Sequence, residues 1–294
     1  HVLYITDKRG MAFPTQPKNV PIIVLDLPYY RPGLRAKIML GAKLFLALGH
    51  SLWCFLLKRP SLVVGFGGYP SFPPLAAALL LRIPFMMHEQ NAYVGRVTRW
   101  LAPFSTKITS VFETLKGLRL QDAKKIVVTG NPIRADIAAI RNIPYKGPQK
   151  NIHLFVVGGS QGAKVFSTIL PQAIALLPET LRNHLKIIQQ CRPEFEADTK
   201  ALYKRAKVFV TLAPFFKDIA SEYKKAHLII TRAGASTVTE LAVVGRPALF
   251  IPLPTAMDDH QTHNAQSIVN QKAGWYISEQ KLNPSFLANT LEKY

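Results

Sequence analysis

Apolar runs of strand length recur along this chain, with stretches of helix length between them. That alternation constrains the fold more than any other feature. The runs are 20–27, 62–66, 83–87, 152–157, 185–189, 207–212, 228–231 and 247–251. Many are apolar at consecutive positions, so both faces of the strand need covering. Segments 164–177, 194–205 and 236–244 have the length and pattern of the covering helices. Strand, helix, strand in turn predicts α/β architecture, with parallel sheets flanked by helices on both faces. In 294 residues there are enough units for two sheets, hence two domains. The break is expected at 140–150 (IRNIPYKGPQK), where Pro, Gly and Lys cluster and no apolar period survives. That divides the chain into 1–145 and 146–294.

The chain is 48% hydrophobic and 18% charged, which supports packed cores and excludes extensive disorder. It carries 37 Lys and Arg against 17 Asp and Glu, a net charge of +20. Such a balance favours an anionic partner: nucleic acid, a phosphorylated ligand or an anionic membrane face. Cys54 and Cys191 lie far apart and belong to no ligand cluster. A disulfide scaffold and a Cys-rich zinc module are therefore excluded, and a reducing cytosol fits. One segment, 38–57 (IMLGAKLFLALGHSLWCFLL), is long enough to span a bilayer. Lys43 and His50 interrupt it, and Arg35, Lys37, Lys58 and Arg59 flank it. It can be a transmembrane helix, a core helix or an interfacial helix. Phe45, Leu48, Trp53 and Phe55 beside basic flanks suit the headgroup boundary.

Glycine-rich turns follow two of the strand-like runs: GFGGYPS at 65–71 and GGSQGA at 158–163. Glycine lets backbone approach a ligand closely, and a following helix aims free N–H groups at an anion. An open α/β sheet binds ligands at such turns, although a plain tight turn has the same composition. Neither turn matches the dinucleotide fingerprint or the P-loop. After 228–231 comes RAGAST at 232–237, leading to Glu240. Glu240 can accept two hydrogen bonds from a ribose diol, or can serve only as a favourable charge early in a helix. The polar run DDHQTHN at 258–264 can read sugar hydroxyls. Asp258, Asp259, His260 and His263 are equally possible metal ligands. His88-Glu89-Gln90-Asn91 ends a strand, and its His–Glu pair can be acid–base, ligand-binding or structural. Arg134, in GNPIR, can clamp a phosphate.

Together these stretches resemble one family, the MurG-type N-acetylglucosaminyltransferases of peptidoglycan synthesis. The resemblance rests on GFGGYPS, IPFMMHEQNAYVGRVTRWLA, VTGNPIR, FVVGGSQGAKVF, TRAGASTVTELAVVGRPALFIPLP and DDHQTHNA, in that order from about Leu62 to Asn264. It implies the GT-B fold, two Rossmann-like domains facing across a cleft. The N-terminal domain would face the acceptor and the membrane, and the C-terminal one would bind UDP-GlcNAc. It implies transfer of GlcNAc from UDP-GlcNAc to the C4 hydroxyl of MurNAc in lipid I, with inversion, giving lipid II and UDP. No cofactor, metal or nucleic acid is implied. Peripheral attachment to the anionic cytoplasmic face of the bacterial inner membrane is.

Residue by residue, the resemblance matches Glu240 to the ribose carboxylate. It places Ala235 and Thr237 at the donor as well. Ser160, Gln161 and Gly162 match the turn near the diphosphate and sugar, with Arg134 as a phosphate contact. His260 and Gln261 match the positions that hold GlcNAc hydroxyls. Phe216, in APFFKDIA, falls where backbone recognises uracil. The acceptor diphosphate would meet Gly67, Gly68, Tyr69 and Ser71, and Asn91 would come close to the reacting sugar.

Family members also begin with a strand and a GGTGGHxxP turn whose His is the candidate general base, and they continue past the position of Tyr294. Neither stretch is present, and no signal-peptide pattern precedes the strand-like run after His1. The chain thus reads as a member cut at both ends, with donor binding and little turnover expected. His88 is not an obvious substitute for the base. Two other readings stay open: a different GT-B enzyme acting on UDP-sugars, and a non-catalytic basic protein held to membrane or nucleic acid by charge.

Overall fold

The computed structural model describes residues 1–12, 19–28, 33–159 and 162–293. It forms two compact units, His1–Gly130 and Asn131–Tyr294.

The first unit contains two parallel sheets. Strands β1 (Tyr4–Asp7) and β2 (Ile22–Leu25) form one. The other runs in sequence order, β3 (Val63–Gly65), β4 (Phe85–Glu89), β5 (Lys107–Ser110), β6 (Ile126–Val128). Helix Leu34–Lys58 packs against helix Phe72–Leu80 and, through Ala47, against Leu25 and Leu27. Asp26 follows β2 and receives Lys43 of the long helix at 2.5 Å and Lys8 at 2.9 Å. These two ammonium groups hold its carboxyl at about 2.

The long helix has two different faces. Ala47, Ser51, Cys54 and Phe55 recur at helical spacing and are buried. Phe45 and Trp53 point the other way and are 75% and 65% exposed. Leu34, Ile38, Leu46, Leu56 and Leu57 are exposed with them. Leu48 lies between the faces. The structure therefore corrects one of the four residues expected at a headgroup boundary: Phe55 is a core residue. It sits one turn past Ser51, on the face turned toward the protein.

The second unit holds one six-stranded parallel sheet. Its strands are β7 (Ile152–Val157), β8 (Leu185–Gln190), β9 (Phe209–Ala213), β10 (Leu228–Thr231), β11 (Ala248–Phe250) and β12 (Trp275–Tyr276). Their order is β12-β11-β10-β7-β8-β9. The chain winds outward from β7 on one side and from β10 on the other, so the winding reverses between these two central strands. Helices Lys164–Leu176 and Pro284–Lys293 pack together and bury Phe166, Leu170, Ile174 and Leu287.

Runs 152–157 and 228–231 are strands as expected, and the other expected strands shift at their ends by a residue or two. Strands β5, β6 and β12 escaped the sequence reading. KITS mixes polar with apolar, and the other two are only three and two residues long.

The stretch 131–150, rich in breakers at its end, straps onto the second unit. Helix Ala135–Ala139 packs on helix Ala235–Val244 and buries Ile137 completely. Arg246 Nη1 donates to Ile143 O at 3.3 Å. The Tyr145 hydroxyl donates to His227 O at 3.2 Å. The compact units accordingly divide ahead of the compositional break.

His227 anchors this strap. Its Nδ1 accepts the backbone N–H of His153 at 2.9 Å, which requires that nitrogen to be unprotonated. Burial, then the nearby His153 and Arg246, hold its imidazole below the ordinary 6.5. The unfolded chain therefore takes up this proton first as pH falls, so the contribution is complete above 6.5 and is lost below it. Urea unfolding between pH 7.5 and 5 should show stability declining with acid. His227→Gln, which retains an acceptor, should flatten that slope; an unchanged slope refutes the assignment.

Candidate functional site

The loops at the C-terminal edge of the second sheet converge around the point where the winding reverses, the usual ligand position in open α/β sheets. After β7 the chain turns through Gly158 and Gly159 to Gly162 and enters helix Lys164–Leu176. Gly159 and Gly162 have φ of 83° and 65°. A Cβ on Gly158 would stand 2.3 Å from the backbone nitrogen of Ala163, so this position excludes any side chain. Gly158 N donates to Gln190 Oε1 at 2.9 Å, and Gln190 Nε2 donates to Pro214 O at 3.1 Å. Gln190, at the end of β8, thus ties the glycine turn to the loop carrying Phe216. Arg192 Nη2 donates to Gly162 O at 3.3 Å.

After β10 the buried Arg232 turns back across the sheet edge. Its Nη1 donates to Ile251 O and Pro252 O at 3.0 and 3.1 Å and pairs with Glu279. The next residue, Ala233, is held on both sides by helix His260–Asn270. Its N–H donates to Gln261 Oε1 at 3.2 Å, and its carbonyl accepts from Asn264 Nδ2 at 3.1 Å. Gln261 Oε1 also accepts Leu253 N–H at 3.0 Å. With its oxygen taking two backbone donors, this side chain offers a ligand its NH2 group, a donor. His260 Nδ1 lies 2.7 Å from Met257 O. A carbonyl can only accept, so Nδ1 carries the proton and Nε2 of the neutral ring is an acceptor. The preceding Asp258 and Asp259 both have φ of 51°, a region that aspartate tolerates better than most residues. Among the described residues no group of three His, Cys, Asp or Glu gathers as around a metal ion.

Helix Ala235–Val244 starts at this edge, with Thr237 in its first turn and Glu240 beyond it. Glu240 Oε2 accepts the Tyr223 hydroxyl at 3.3 Å, and Oε1 lies 3.8 Å from Arg134 Nε. Burial raises the Glu240 carboxyl above its ordinary value, with Arg134 and the Tyr223 hydrogen bond opposing. The Phe216 ring packs edge-on against Phe155, centroids 5.3 Å apart.

Arg134, Gly162, Phe216, Ala235, Thr237, Glu240, His260 and Gln261 thus all belong to the second unit. Ser160 and Gln161 lie outside the described residues. Asn91 belongs to the first unit, where its N–H and that of Gly95 donate to Glu89 at 3.2 and 3.0 Å. His88 is buried there, Nδ1 2.9 Å from Thr109 Oγ1, its ring against Phe66. Gly67 and Gly68 take φ of 77° and 69°, leading into the short turn Tyr69–Ser71. Ser71 Oγ donates to Gly68 O at 2.8 Å. The Tyr69 hydroxyl donates to Pro28 O at 2.6 Å, beneath the Arg9 guanidinium.

Sequence reading missed Gln190, Tyr223 and Glu279, and it quoted Arg232 and Asn264 only as parts of motifs. Their signal is weak. Gln190, Tyr223 and Glu279 are single polar residues near apolar stretches, and only the partner shows what each does.

Two α/β units, each built on parallel sheets, with a ligand edge on the second, have the architecture of the GT-B fold, and the comparisons give the class within it, a glycosyltransferase. Residues 1–110 match the glycosyltransferase family 28 N-terminal domain, and residues 153–294 match the family 28 C-terminal domain. The N-acetylglucosamine transferase named for N-acetylmuramyl-(pentapeptide) pyrophosphoryl-undecaprenol from Rhodospirillum centenum is 41% identical over 99% of this chain and 76% of that protein. Its counterpart from Paramagnetospirillum magneticum is 43% identical over 98% and 78%. The crystal structure of Acinetobacter baumannii MurG superposes with a TM-score of 0.75 at 31% identity, covering 94% of this chain and 76% of that one. The chain belongs to the MurG family.

The glycine turn yields a direct test. Gly158→Ala forces Cβ into backbone and should lower stability by about 1–3 kcal/mol, the usual range for overpacking. Gly147→Ala, with nothing near its Cβ, should leave it within about 0.5 kcal/mol. Equal melting temperatures for the two variants would contradict the geometry.

Proposed function

We propose that this chain transfers GlcNAc from UDP-GlcNAc to the C4 hydroxyl of MurNAc in lipid I, with inversion, releasing UDP and lipid II. The observation that carries the reading is the second unit's edge, which brings together a held carboxylate on helix Ala235–Val244, a glycine turn, and the polar side chains of His260 and Gln261 at the start of helix His260–Asn270. Glu240 accepts the ribose diol, and Phe216 marks the uracil loop. Gly159, Gly162 and the start of helix Lys164–Leu176 face the diphosphate, with Arg134 as a cation. Departure of UDP builds negative charge on that diphosphate, and preorganised N–H groups and an arginine stabilise it without rearranging. For GlcNAc, Gln261 donates through its NH2 and His260 accepts through Nε2. The acceptor diphosphate lies against Gly67, Gly68, Tyr69 and Ser71, where two glycines of positive φ lead into a short 3-10 turn. Buried His88, bonded to Thr109, serves structure.

The lipid acceptor gives helix Leu34–Lys58 a role. It is long and apolar enough to cross a membrane by length and composition. Its buried inner face and exposed Phe45 and Trp53 favour lying in the interface, with the chain peripheral to the cytoplasmic face of the inner membrane. Cationic flanks then add roughly 1 kcal/mol per Lys or Arg at an anionic surface.

Calorimetric titration with UDP-GlcNAc should show saturable binding selective over ADP-glucose. Glu240→Ala removes bonds from two hydroxyls to a charge and should cost about 3 kcal/mol, on the order of a hundredfold in Kd. Because burial raises the Glu240 carboxyl, protonation begins at milder acid than for an ordinary glutamate, removes its charge and turns one of its oxygens into a donor. Affinity should therefore be full near neutrality and decline as pH falls. Binding indifferent to Glu240→Ala would sink the donor-site assignment.

Cosedimentation with anionic vesicles tests the membrane reading. Binding should weaken with salt and drop sharply in Phe45→Glu and Trp53→Glu. Phe55→Glu should instead unfold the first unit, because that ring is core. No vesicle binding at low salt excludes the interfacial helix.

A further inference from the structure

We propose that Tyr223 is a positioning residue for the donor nucleotide, fixing the Glu240 carboxylate and linking it to the loop that carries Phe216. The inference rests on the donor-site reading above and adds to it a residue that no sequence motif marks.

The two oxygens of Glu240 have different partners. Oε2 receives the Tyr223 hydroxyl at 3.3 Å, and Oε1 lies 3.8 Å from Arg134 Nε. Tyr223 is 1% exposed, so its hydroxyl has little water to turn to. Its ring packs edge-on against Phe155 with centroids 5.8 Å apart, and Phe155 packs edge-on against Phe216 at 5.3 Å. The file Phe216, Phe155, Tyr223 therefore runs through the unit's interior from the proposed base loop to the ribose carboxylate. Phe155 is itself buried on central strand β7, which gives the file a rigid middle. Tyr223 also belongs to helix Ile219–Lys225, which begins just after Phe216. The Asp218 side chain caps that helix by accepting Ser221 N–H at 2.9 Å. Base loop and carboxylate anchor are thus two ends of one short element. A carboxylate free to rotate would present its lone pairs to a ribose diol in many orientations. Held at one oxygen by a buried donor, it presents the other side in a fixed plane. The charged groups facing Glu240 are Arg134 and Asp136, both from the segment leading into and forming helix Ala135–Ala139.

The test is a double-mutant cycle on UDP affinity, measured calorimetrically on the full chain as wild type, Tyr223→Phe, Glu240→Ala and the double variant. Tyr223→Phe should raise the Kd for UDP about tenfold, the scale of one hydrogen bond to a charged group. In the Glu240→Ala background it should change nothing. It should also move the acid decline in UDP affinity to higher pH, because the lost hydroxyl stabilised the ionised carboxylate. A packing role alone would leave that pH profile in place. Replacing Tyr223 with 3-fluorotyrosine keeps ring and hydroxyl, makes the hydroxyl a stronger donor, and should move the decline to lower pH. That second variant serves if Tyr223→Phe fails to fold. An equal loss in both backgrounds, no loss at all, or an unmoved pH profile overturns the proposal. The reading beneath it fails separately: if Glu240→Ala itself leaves UDP binding intact, the donor-site assignment is wrong. If Glu240→Ala abolishes binding while Tyr223→Phe is silent, only the positioning role is wrong.

Discussion

Every strand pair among the described residues is parallel, and most of the organisation depends on that constraint. Parallel neighbours cannot be joined by a tight hairpin, so each connection must cross over a face of the sheet. The crossings bring helices, the helices bury both faces, and the strands become continuous apolar runs such as IHLFVV. The same geometry sends every strand's C-terminal end to one edge. Loops that are distant in sequence, after Val157, Gln190, Ala213, Thr231 and Phe250, therefore gather there without any local signal telling them to.

At that edge, side chains tie loop to loop. Gln190 joins the glycine turn to Pro214. Arg232 draws the end of β11 and Glu279 toward the end of β10. Gln261 and Asn264 grip the two sides of one peptide residue, Ala233. These bonds satisfy backbone groups that loops would otherwise leave bare. They also determine which atoms stay available: the oxygen of Gln261 is occupied and its NH2 is not, and His260 is set as an acceptor. The side chains that satisfy the loops are thus the ones to which the proposed ligand recognition falls.

The first unit shows a different economy. One long helix meets the protein with Ala47, Ser51, Cys54 and Phe55 and turns Phe45 and Trp53 outward. A run apolar all the way round has no preferred face of its own. The sheet it packs on, and the Asp26 bond to Lys43, decide which side is inner.

Much of this was legible beforehand. Runs 152–157 and 228–231, the two glycine turns and the RAGAST segment stood out because periodicity and glycine are local properties, written in neighbouring residues. So were the two-unit α/β organisation and the family's motifs. What lay beyond the sequence were pairings between distant positions. Phe55 looked like its exposed neighbours until the helix packed, and Tyr223 was one apolar-facing tyrosine among ten until Glu240 lay opposite it. The stretch 140–150 read as a linker because breakers dominate it, whereas Tyr145 and Ile143 bind it to His227 and Arg246. The sequence by itself determined which segments become strands, turns and helices, since each depends on dihedral preference and short-range apolar spacing. Only the tertiary structure decided which polar groups meet, because hydrogen bonding between residues far apart in the chain depends on where the sheet brings their ends.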